Sequence, residues 1–293
     1  MIPAPFISCQ AWYPVVGSTS DEVRAWLRTG EPEVCLAVAD EQSAGRGRAG
    51  RSWQAPRGRA LLLSLGFRPA WLAPDRVWRL AAVVSLAMAD AAEEVAGLPM
   101  GAIRLKWPND MVVEEAQEPG IADGGPSAAP GADPAAGESG PAYRKLAGVL
   151  GESSGLGSTD PTVIVGIGIN ADWPADEFPP ALAAEMTSLR AASHDRPVDR
   201  ALLLDGFLGR LEVRVEALRG GRFDVADWQE RQLSTGRVVR LEWPDGRVEQ
   251  VRALGVDTRT GALVVADPGA TDGERHVMGG EIRHLRLTRP VTV

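Results

Sequence analysis

Hydrophobic residues along the chain fall into short blocks that are separated by stretches rich in Gly, Pro and Arg. A block of five to eight apolar residues between such breaks is typical of a buried β-strand. Longer blocks repeat their apolar residues at helical spacing. The pattern predicts strands and helices that follow one another without strict alternation, which favours an α+β fold with a mixed β-sheet. The predicted strands cover residues 34–39, 60–67, 103–107, 146–151 and 162–169.

Three helices are predicted from start and stop signals. The longest runs between Pro74 and Gly97, with proline in the first turn and glycine just past the end. Another covers residues 198–218, where leucines recur at helical spacing before a glycine pair. A shorter amphipathic helix follows Ser20 and stops at Gly30, which makes Ser20 the predicted N-cap.

The chain divides into two predicted domains. Residues 1–233 carry the longer strands and helices, whereas residues 234–293 carry short strands and tight turns. A Pro-Asp-Gly-Arg turn at 244–247 between apolar runs predicts a hairpin. The region as a whole predicts a small C-terminal β-barrel. Residues 116–142 contain 19 Ala, Gly or Pro in 27 positions, which predicts a disordered insertion within the first domain.

Composition excludes several classes of protein. Two cysteines are too few for a disulfide scaffold or a Cys-rich zinc site, and three histidines lie far from the segments that hold the lysines and asparagines. A net charge of -8 argues against general nucleic-acid binding. The first residues do not resemble a signal peptide, and the apolar stretch at 80–92 is too short to span a bilayer. We therefore expect a cytoplasmic protein without DNA or membrane partners.

The lysines and asparagines are few and grouped. The only lysines are Lys106 and Lys145, and the only asparagines are Asn109 and Asn170, although the chain is rich in arginine. All four lie in three short segments at the ends of predicted strands. A chain that otherwise uses arginine reserves a compact ammonium for these points. The grouping predicts a site that binds anions.

A glycine-rich loop supplies further positive charge. Residues 45–50 match G-x-G-x-x-G, but a dinucleotide-binding turn needs a helix directly afterwards, and Pro56 and Gly58 disfavour one. Two interpretations remain, a solvated basic loop and a flexible loop whose guanidinium groups wrap anions. The arginines concerned are Arg46, Arg48 and Arg51.

The segment Lys106–Asp110 gathers a cation, an amide and a carboxylate at a strand end. Asp110 could hold Mg²⁺ through oxygen, the usual arrangement beside nucleotide phosphates, although Pro-Asn-Asp is also a common turn. Lys145 begins the next predicted strand, where a point charge suits a transferred acyl or phosphoryl group. Neither lysine follows a glycine, so a P-loop is excluded.

Taken together, these segments resemble the biotin protein ligases. The sequences GRGRAGRSW at 45–53, KWPND at 106–110, KLAGVL at 145–150 and GIGIN at 166–170 occur in the family's order. Ser18-Thr19-Ser20 and Met278–Glu281 extend the resemblance over nearly the whole chain outside 116–142. The resemblance implies a catalytic domain like those of class II aminoacyl-tRNA synthetases and biotin ligases, followed by an SH3-like β-barrel.

The resemblance also implies the reaction. Biotin and ATP form biotinyl-5′-AMP, and a lysine of a biotin carboxyl carrier domain of acetyl-CoA, acyl-CoA or pyruvate carboxylase then takes the biotinyl group. Lys145 and Arg48 are the expected catalytic residues, and Asp110 is the expected contact to Mg²⁺ through ATP. The residues expected to bind biotin and ATP are Ser18, Thr19, Ser20, Gln42, Gly45, Arg46, Gly47, Arg48, Arg51, Trp53, Lys106, Asn109, Asp110, Lys145, Gly148 and Asn170.

This chain departs from the family at two points. The family often has Ser-Thr-Asn where this chain has Ser20, so a ligand role for Ser20 competes with its role as N-cap. Only 17 residues precede Ser18, too few for the repressor module of some members, so we expect no operator binding. The alternatives are a lipoate or octanoate ligase of the same fold, a non-catalytic sensor of biotin or its adenylate, and a nucleic-acid binder that uses the arginine loop.

Overall fold

The central feature of the computed structural model is a mixed β-sheet; the structure describes residues 6–114, 143–282 and 284–287. Within these ranges the sheet has seven strands in the order β1-β2-β3-β7-β6-β5-β4. Only β1 and β2 pair in parallel; the other neighbours are antiparallel. The predicted insertion at 116–142 lies outside the described residues. The strands are β1 (Cys9–Tyr13), β2 (Cys35–Ala39), β3 (Ala60–Phe67), β4 (Ile103–Lys106), β5 (Asp110–Glu114), β6 (Tyr143–Ser154) and β7 (Thr162–Asn170).

Helices cover both faces of the sheet, which explains why its central strands are apolar without alternation. Every residue of β3 is buried. One face packs against α1 through Val23 and Leu27, and the other against the two long helices α2 and α4. The helices in the described ranges are α1 (Thr19–Arg28), α2 (Trp78–Ala96), α3 (Leu189–Ala192), α4 (Arg200–Arg219) and α5 (Val225–Glu230). None of them is both long enough and apolar enough to cross a bilayer.

Helix ends differ from the predictions in detail. The N-cap of α1 is Ser18, so the prediction of Ser20 as N-cap is wrong, and Ser20 lies buried inside the first turn. A short 3₁₀ turn occupies Pro74–Arg76 before α2 begins. Gly97 ends α2 as predicted, with φ of 60° in the left-handed region that glycine tolerates.

A second sheet forms the C-terminal part and is wholly antiparallel, in the order β11-β10-β9-β8-β12. The predicted α+β fold with a small C-terminal β domain is confirmed, while the boundary between 233 and 234 stays a prediction. The segment before this sheet pairs with the edge of the first, since Leu105 N donates to Arg231 O (2.7 Å) and Leu233 N to Leu105 O (2.8 Å). The strands are β8 (Val238–Glu242), β9 (Val248–Val256), β10 (Leu263–Ala266), β11 (Glu274–Val277) and β12 (His284–Leu287).

Candidate active site

A cleft over the middle of the first sheet collects residues from α1, the glycine-rich loop and strands β3 to β7. It widens into a groove that reaches α2 and the C-terminal sheet. Most of the residues predicted from sequence line it. They are Ser18, Thr19, Ser20, Gln42, Arg46, Gly47, Arg48, Arg51, Trp53, Lys106, Asn109, Asp110, Lys145 and Gly148.

One end of the cleft is an uncharged hydroxyl pocket, formed by Ser18, Thr19, Ser20, Gln42 and Ser64. The Thr19 backbone N and hydroxyl both donate to Gln42 Oε1, at 2.8 and 3.0 Å. The Ser64 hydroxyl hydrogen bonds with the hydroxyls of Thr19 (2.7 Å) and Ser20 (3.0 Å). Ser64 was not predicted from the sequence, where its one signal is a lone hydroxyl in an otherwise apolar strand.

Glycines on β6 and β7 make a flat floor, and Trp53 lies across it. A Cβ added at Gly168 would come 2.6 Å from Trp53 Nε1, and one at Gly148 would come 3.1 Å from the six-membered ring. Larger residues at these positions would therefore push the indole away. Among the described residues no acceptor reaches the buried Trp53 Nε1.

The other end of the cleft is cationic, with Lys106, Lys145 and Arg48 as its members. A tight hairpin between β4 and β5 sets Lys106 directly opposite Asp110. The Asp110 carboxylate lies 2.6 Å from Lys145 Nζ and 3.4 Å from Lys106 Nζ. Lys145 Nζ also lies 5.5 Å from the centroid of the Trp53 ring, within the range of a cation–π contact.

The two lysines determine the charge of Asp110. Burial acts to raise the pKa of this carboxyl, but the attraction of Lys106 and Lys145 outweighs burial and lowers the pKa. Asp110 is therefore ionised near neutral pH and aligns both ammonium groups at one point of the cleft. This arrangement offers an incoming anion two preoriented donors.

The glycine-rich loop reaches the C-terminal sheet through Arg48. This guanidinium donates to the carbonyls of Gly279 and Ile282, and to Asn109 Oδ1 at 3.4 Å. Burial lowers the pKa of the Arg48 guanidinium, which is partly enclosed by these contacts. The motif at Met278–Glu281 thus lies beside the loop.

Two predicted ligand residues have structural partners instead. A Cβ at Gly45 would come 2.4 Å from the Trp53 carbonyl oxygen, so this glycine permits the loop to close on itself. The Asn170 side chain is buried at the end of β7 and donates to Thr187 O at 2.8 Å. Neither residue is among those lining the cleft. Their predicted contacts with ligand stay predictions.

The donor set does not form a resident metal site. Among the described residues, no group of three or more His, Cys, Asp or Glu could hold a metal ion. Of the described residues that line the narrow cleft, Asp110 is the one carboxylate, and two lysines already neutralise it. The residues therefore do not fit a magnesium ion that the protein would hold by itself.

Comparison with known proteins agrees with this arrangement. The sequence pattern of the Biotin/lipoate A/B protein ligase family matches residues 12–170. The chain belongs to this family. It is 30% identical over 273 residues to the biotin–[acetyl-CoA-carboxylase] ligase of Mycobacterium tuberculosis. This alignment covers 92% of this chain and 86% of the relative. The bifunctional ligase/repressor BirA of Bacillus spizizenii is 27% identical over 87% of this chain and 69% of its own length.

The fold of the family extends to solved structures. A biotin protein ligase from Aquifex aeolicus in complex with biotin and ATP aligns with a TM-score of 0.70. The alignment covers 95% of this chain and 99% of that chain at 24% identity, so it supports the fold alone. The membership of the biotin protein ligases predicted from the motifs is confirmed, and with it the expectation of a ligase.

Proposed function

We propose that this ligase activates biotin with ATP to give biotinyl-5′-AMP and then transfers the biotinyl group to a lysine of a biotin carboxyl carrier domain. The observation that carries the proposal is the polarity of the cleft. An uncharged hydroxyl pocket lies at one end, and Lys106, Lys145 and Arg48 lie at the other. Biotin has the same polarity, with a neutral ureido head and a carboxylate tail.

The head of biotin suits the hydroxyl pocket because hydroxyls and an amide can both donate to and accept from a ureido group. Thr19 and Ser20 are held in place by Ser64, and Gln42 is held by Thr19. The apolar ring would then lie on the glycine floor beside Trp53. This placement brings the carboxylate toward Lys145.

In the first step a biotin carboxylate oxygen attacks the α-phosphorus of ATP, and the bond from that phosphorus to the departing pyrophosphate oxygen breaks. Two anions must approach one another, so cations have to offset their repulsion. Lys145 and Lys106 would serve the carboxylate and α-phosphate. Arg48 and Arg51 line the same mouth and would serve the phosphates, whereas Arg46 lines it with its guanidinium paired to Asp21.

In the second step the neutral amine of the carrier lysine attacks the acyl carbon of the adenylate. The bond from this carbon to the phosphate oxygen of AMP breaks, the amide forms, and the amine loses a proton. Negative charge grows on the acyl oxygen and on departing AMP. The ammonium group of Lys145 would stabilise this charge in the second step as in the first.

Magnesium would enter with ATP through phosphate oxygens, as Mg²⁺ usually does in nucleotide sites. The paired state of Asp110 supports this assignment over a site built by the protein. The acceptor would be a carrier domain of acetyl-CoA, acyl-CoA or pyruvate carboxylase. The negative net charge of -8 supports a function without DNA, and the two free cysteines, facing each other on β1 and β2, suit the reducing cytoplasm.

Pyrophosphate–ATP exchange tests the first step without a carrier. We expect exchange with biotin and none with lipoate, and a loss of about 10²–10³-fold in Lys145→Ala. Arg144→Ala is the matched control, because neighbouring residues of a strand point to opposite faces. Exchange with lipoate alone would move the chain to lipoate ligation. Biotin binding without exchange would favour a sensor.

Carrier labelling tests the second step. The enzyme with ATP, Mg²⁺ and biotin should add one biotinyl group to one lysine of a purified carrier domain, as read by intact mass. A carrier whose acceptor lysine is replaced by arginine should gain no mass. Adenylate formation without labelling of any carrier would refute the transfer half of the proposal.

A further inference from the structure

Arg46 of the glycine-rich loop is held by carboxylates that the reaction does not use. Its Nη1 and Nη2 donate to the two carboxylate oxygens of Asp21, at 2.7 and 2.8 Å. This is the two-pronged geometry in which arginine–carboxylate pairs are strongest. The pairing lowers the pKa of Asp21, chiefly through the hydrogen bonds from Arg46.

A second carboxylate is aimed at the same guanidinium. Glu152 on β6 has one oxygen 3.8 Å from Arg46 Nη2. That oxygen is enclosed and has no hydrogen-bond partner among the described residues. Arg24 of α1 bridges the two carboxylates, since it pairs with Asp21 and lies 2.9 Å from the other oxygen of Glu152. Two arginines and two carboxylates thus form one network.

The network acts on a loop that is under conformational strain. Ala49 lies in the left-handed region at φ of 54°, where a residue other than glycine is disfavoured. The loop folds back as a small hairpin, with Gly47 N donating to Arg51 O at 2.7 Å. Arg48 ties one side of this hairpin to the C-terminal sheet, and Arg46 ties the other side to α1. A strained segment remains in place only when its surroundings hold it there.

We propose that Asp21 and Glu152 are positioning residues that latch the glycine-rich loop over the cleft by holding Arg46, and that this latch retains the adenylate until the carrier arrives. The proposal rests on the proposed function, because it assigns the loop the task of shielding biotinyl-5′-AMP from water. Neither carboxylate lines the narrow cleft, although Glu152 lines the wider groove next to it. Their effect is on how often the loop opens.

The latch should be weak and sensitive to salt. The side chains of Arg46 and Asp21 are 37% and 51% exposed, so each pair contributes little and solvent ions screen it. A network of two such pairs is worth about 1 kcal/mol, which corresponds to about a fivefold change in the open fraction. A latch of this size can release the loop when the carrier docks.

The test is the rate at which bound adenylate is lost. The enzyme forms labelled biotinyl-5′-AMP, excess substrates are removed, and unlabelled biotin and ATP are added as a chase. We expect Asp21→Asn with Glu152→Gln to lose the label about fivefold faster than the wild type at low salt. The wild type should approach the rate of the double variant as salt rises, because screening weakens the same contacts. Asp21→Glu should restore most of the retention.

The matched control is Glu22→Gln, which removes the same charge from the same turn of α1 but contacts Tyr13 instead of the loop. It should retain adenylate as the wild type does. If Glu22→Gln loses adenylate as fast as Asp21→Asn does, the effect comes from the charge at the end of the helix, and the latch is overturned. Unchanged or slower loss in the double variant would also overturn it.

Limited trypsin digestion gives a second readout that needs no ligand. Cleavage after Arg46, Arg48 and Arg51 requires an open loop, so the double variant should be cut there several-fold faster than either the wild type or Glu22→Gln. If no adenylate forms in the wild type, the proposed function fails while this readout still tests the latch. Equal cleavage rates in all variants would refute the latch by itself.

Discussion

Replacing Ser64 with alanine should loosen the hydroxyl pocket without touching the lysines. The Ser64 hydroxyl bonds with Thr19 and Ser20, at 2.7 and 3.0 Å. After the change Thr19 keeps its bond to Gln42, but the buried Ser20 hydroxyl keeps no partner among the described residues. The loss falls on the geometry of the pocket and leaves its charge unchanged.

The size of the effect follows from these contacts. An unpaired buried hydroxyl costs about 1–3 kcal/mol, so the free energy of unfolding should fall by that amount. One neutral hydrogen bond to biotin is worth about 0.5–1.5 kcal/mol, which raises KM for biotin by about twofold to tenfold. The value of kcat should stay unchanged, because Ser64 lies far from Lys145. Ser64 and Leu150 both pair with Gly166 of β7, and Lys145 precedes Leu150 by five residues on β6. At about 3.3 Å per residue, Lys145 and Leu150 are on the order of 16 Å apart.

Pyrophosphate–ATP exchange at varied biotin measures KM and kcat, and urea unfolding measures stability. Ser85→Ala is the control, because that hydroxyl donates to the carbonyl of Ala81 in its own helix and leaves no partner unpaired when removed. The reasoning is refuted if Ser64→Ala lowers kcat with KM unchanged, since the pocket would then act at the reacting end. Equal behaviour of the two variants would refute it as well.

Three further changes test other parts of the molecule. Gly168→Ala would place a methyl group 2.6 Å from Trp53 Nε1, so the indole must move, and calorimetry should show biotin binding weakened by about tenfold or more. Because the pKa of Asp110 is lowered in the folded state, its carboxylate stabilises the fold above the unfolded pKa of about 3.9, and this stabilisation is lost as pH falls through the lower folded pKa. Urea unfolding of Asp110→Asn across about pH 2–5 should lack this part of the pH dependence of stability. Arg231→Met removes two bonds to buried Glu93, at 2.8 and 3.1 Å, and should lower the free energy of unfolding by about 3–5 kcal/mol, with partial recovery when Glu93→Leu is added.

Much of the fold could be predicted because its strands are short apolar blocks with clear ends. The bounds of β3 match the prediction, and α2 ends at its predicted glycine. The strand β1 was missed because it is a short edge strand that is only half buried. The strand β5 was missed because Asp110, its first residue, belongs to a motif that is typical of a turn.

The candidate site was predicted from residue types and motif order, and the residues that it missed have their partners far away along the chain. Gly45 was expected to bind ligand and that contact stays a prediction, but the structure shows that Gly45 also makes room for the Trp53 carbonyl. Asp21 carried no signal and Ser64 only a weak one, since an acidic residue in a first helical turn and one serine in a strand are both common. Their roles depend on partners 25 and 44 residues away. Only the folded chain brings these pairs together.

The C-terminal sheet completes the cationic end of the cleft. Arg48 is fixed by carbonyls at Gly279 and Ile282, and Trp107 Nε1 donates to Gly261 O at 3.0 Å. Trp107 belongs to the hairpin that presents Lys106 and Asp110, so a turn of the C-terminal sheet supports that hairpin. Two of the three cationic groups therefore depend on contacts with residues more than 150 positions later in the chain. It follows that separating the sheet from the first domain should impair adenylate formation even though every predicted ligand residue is retained.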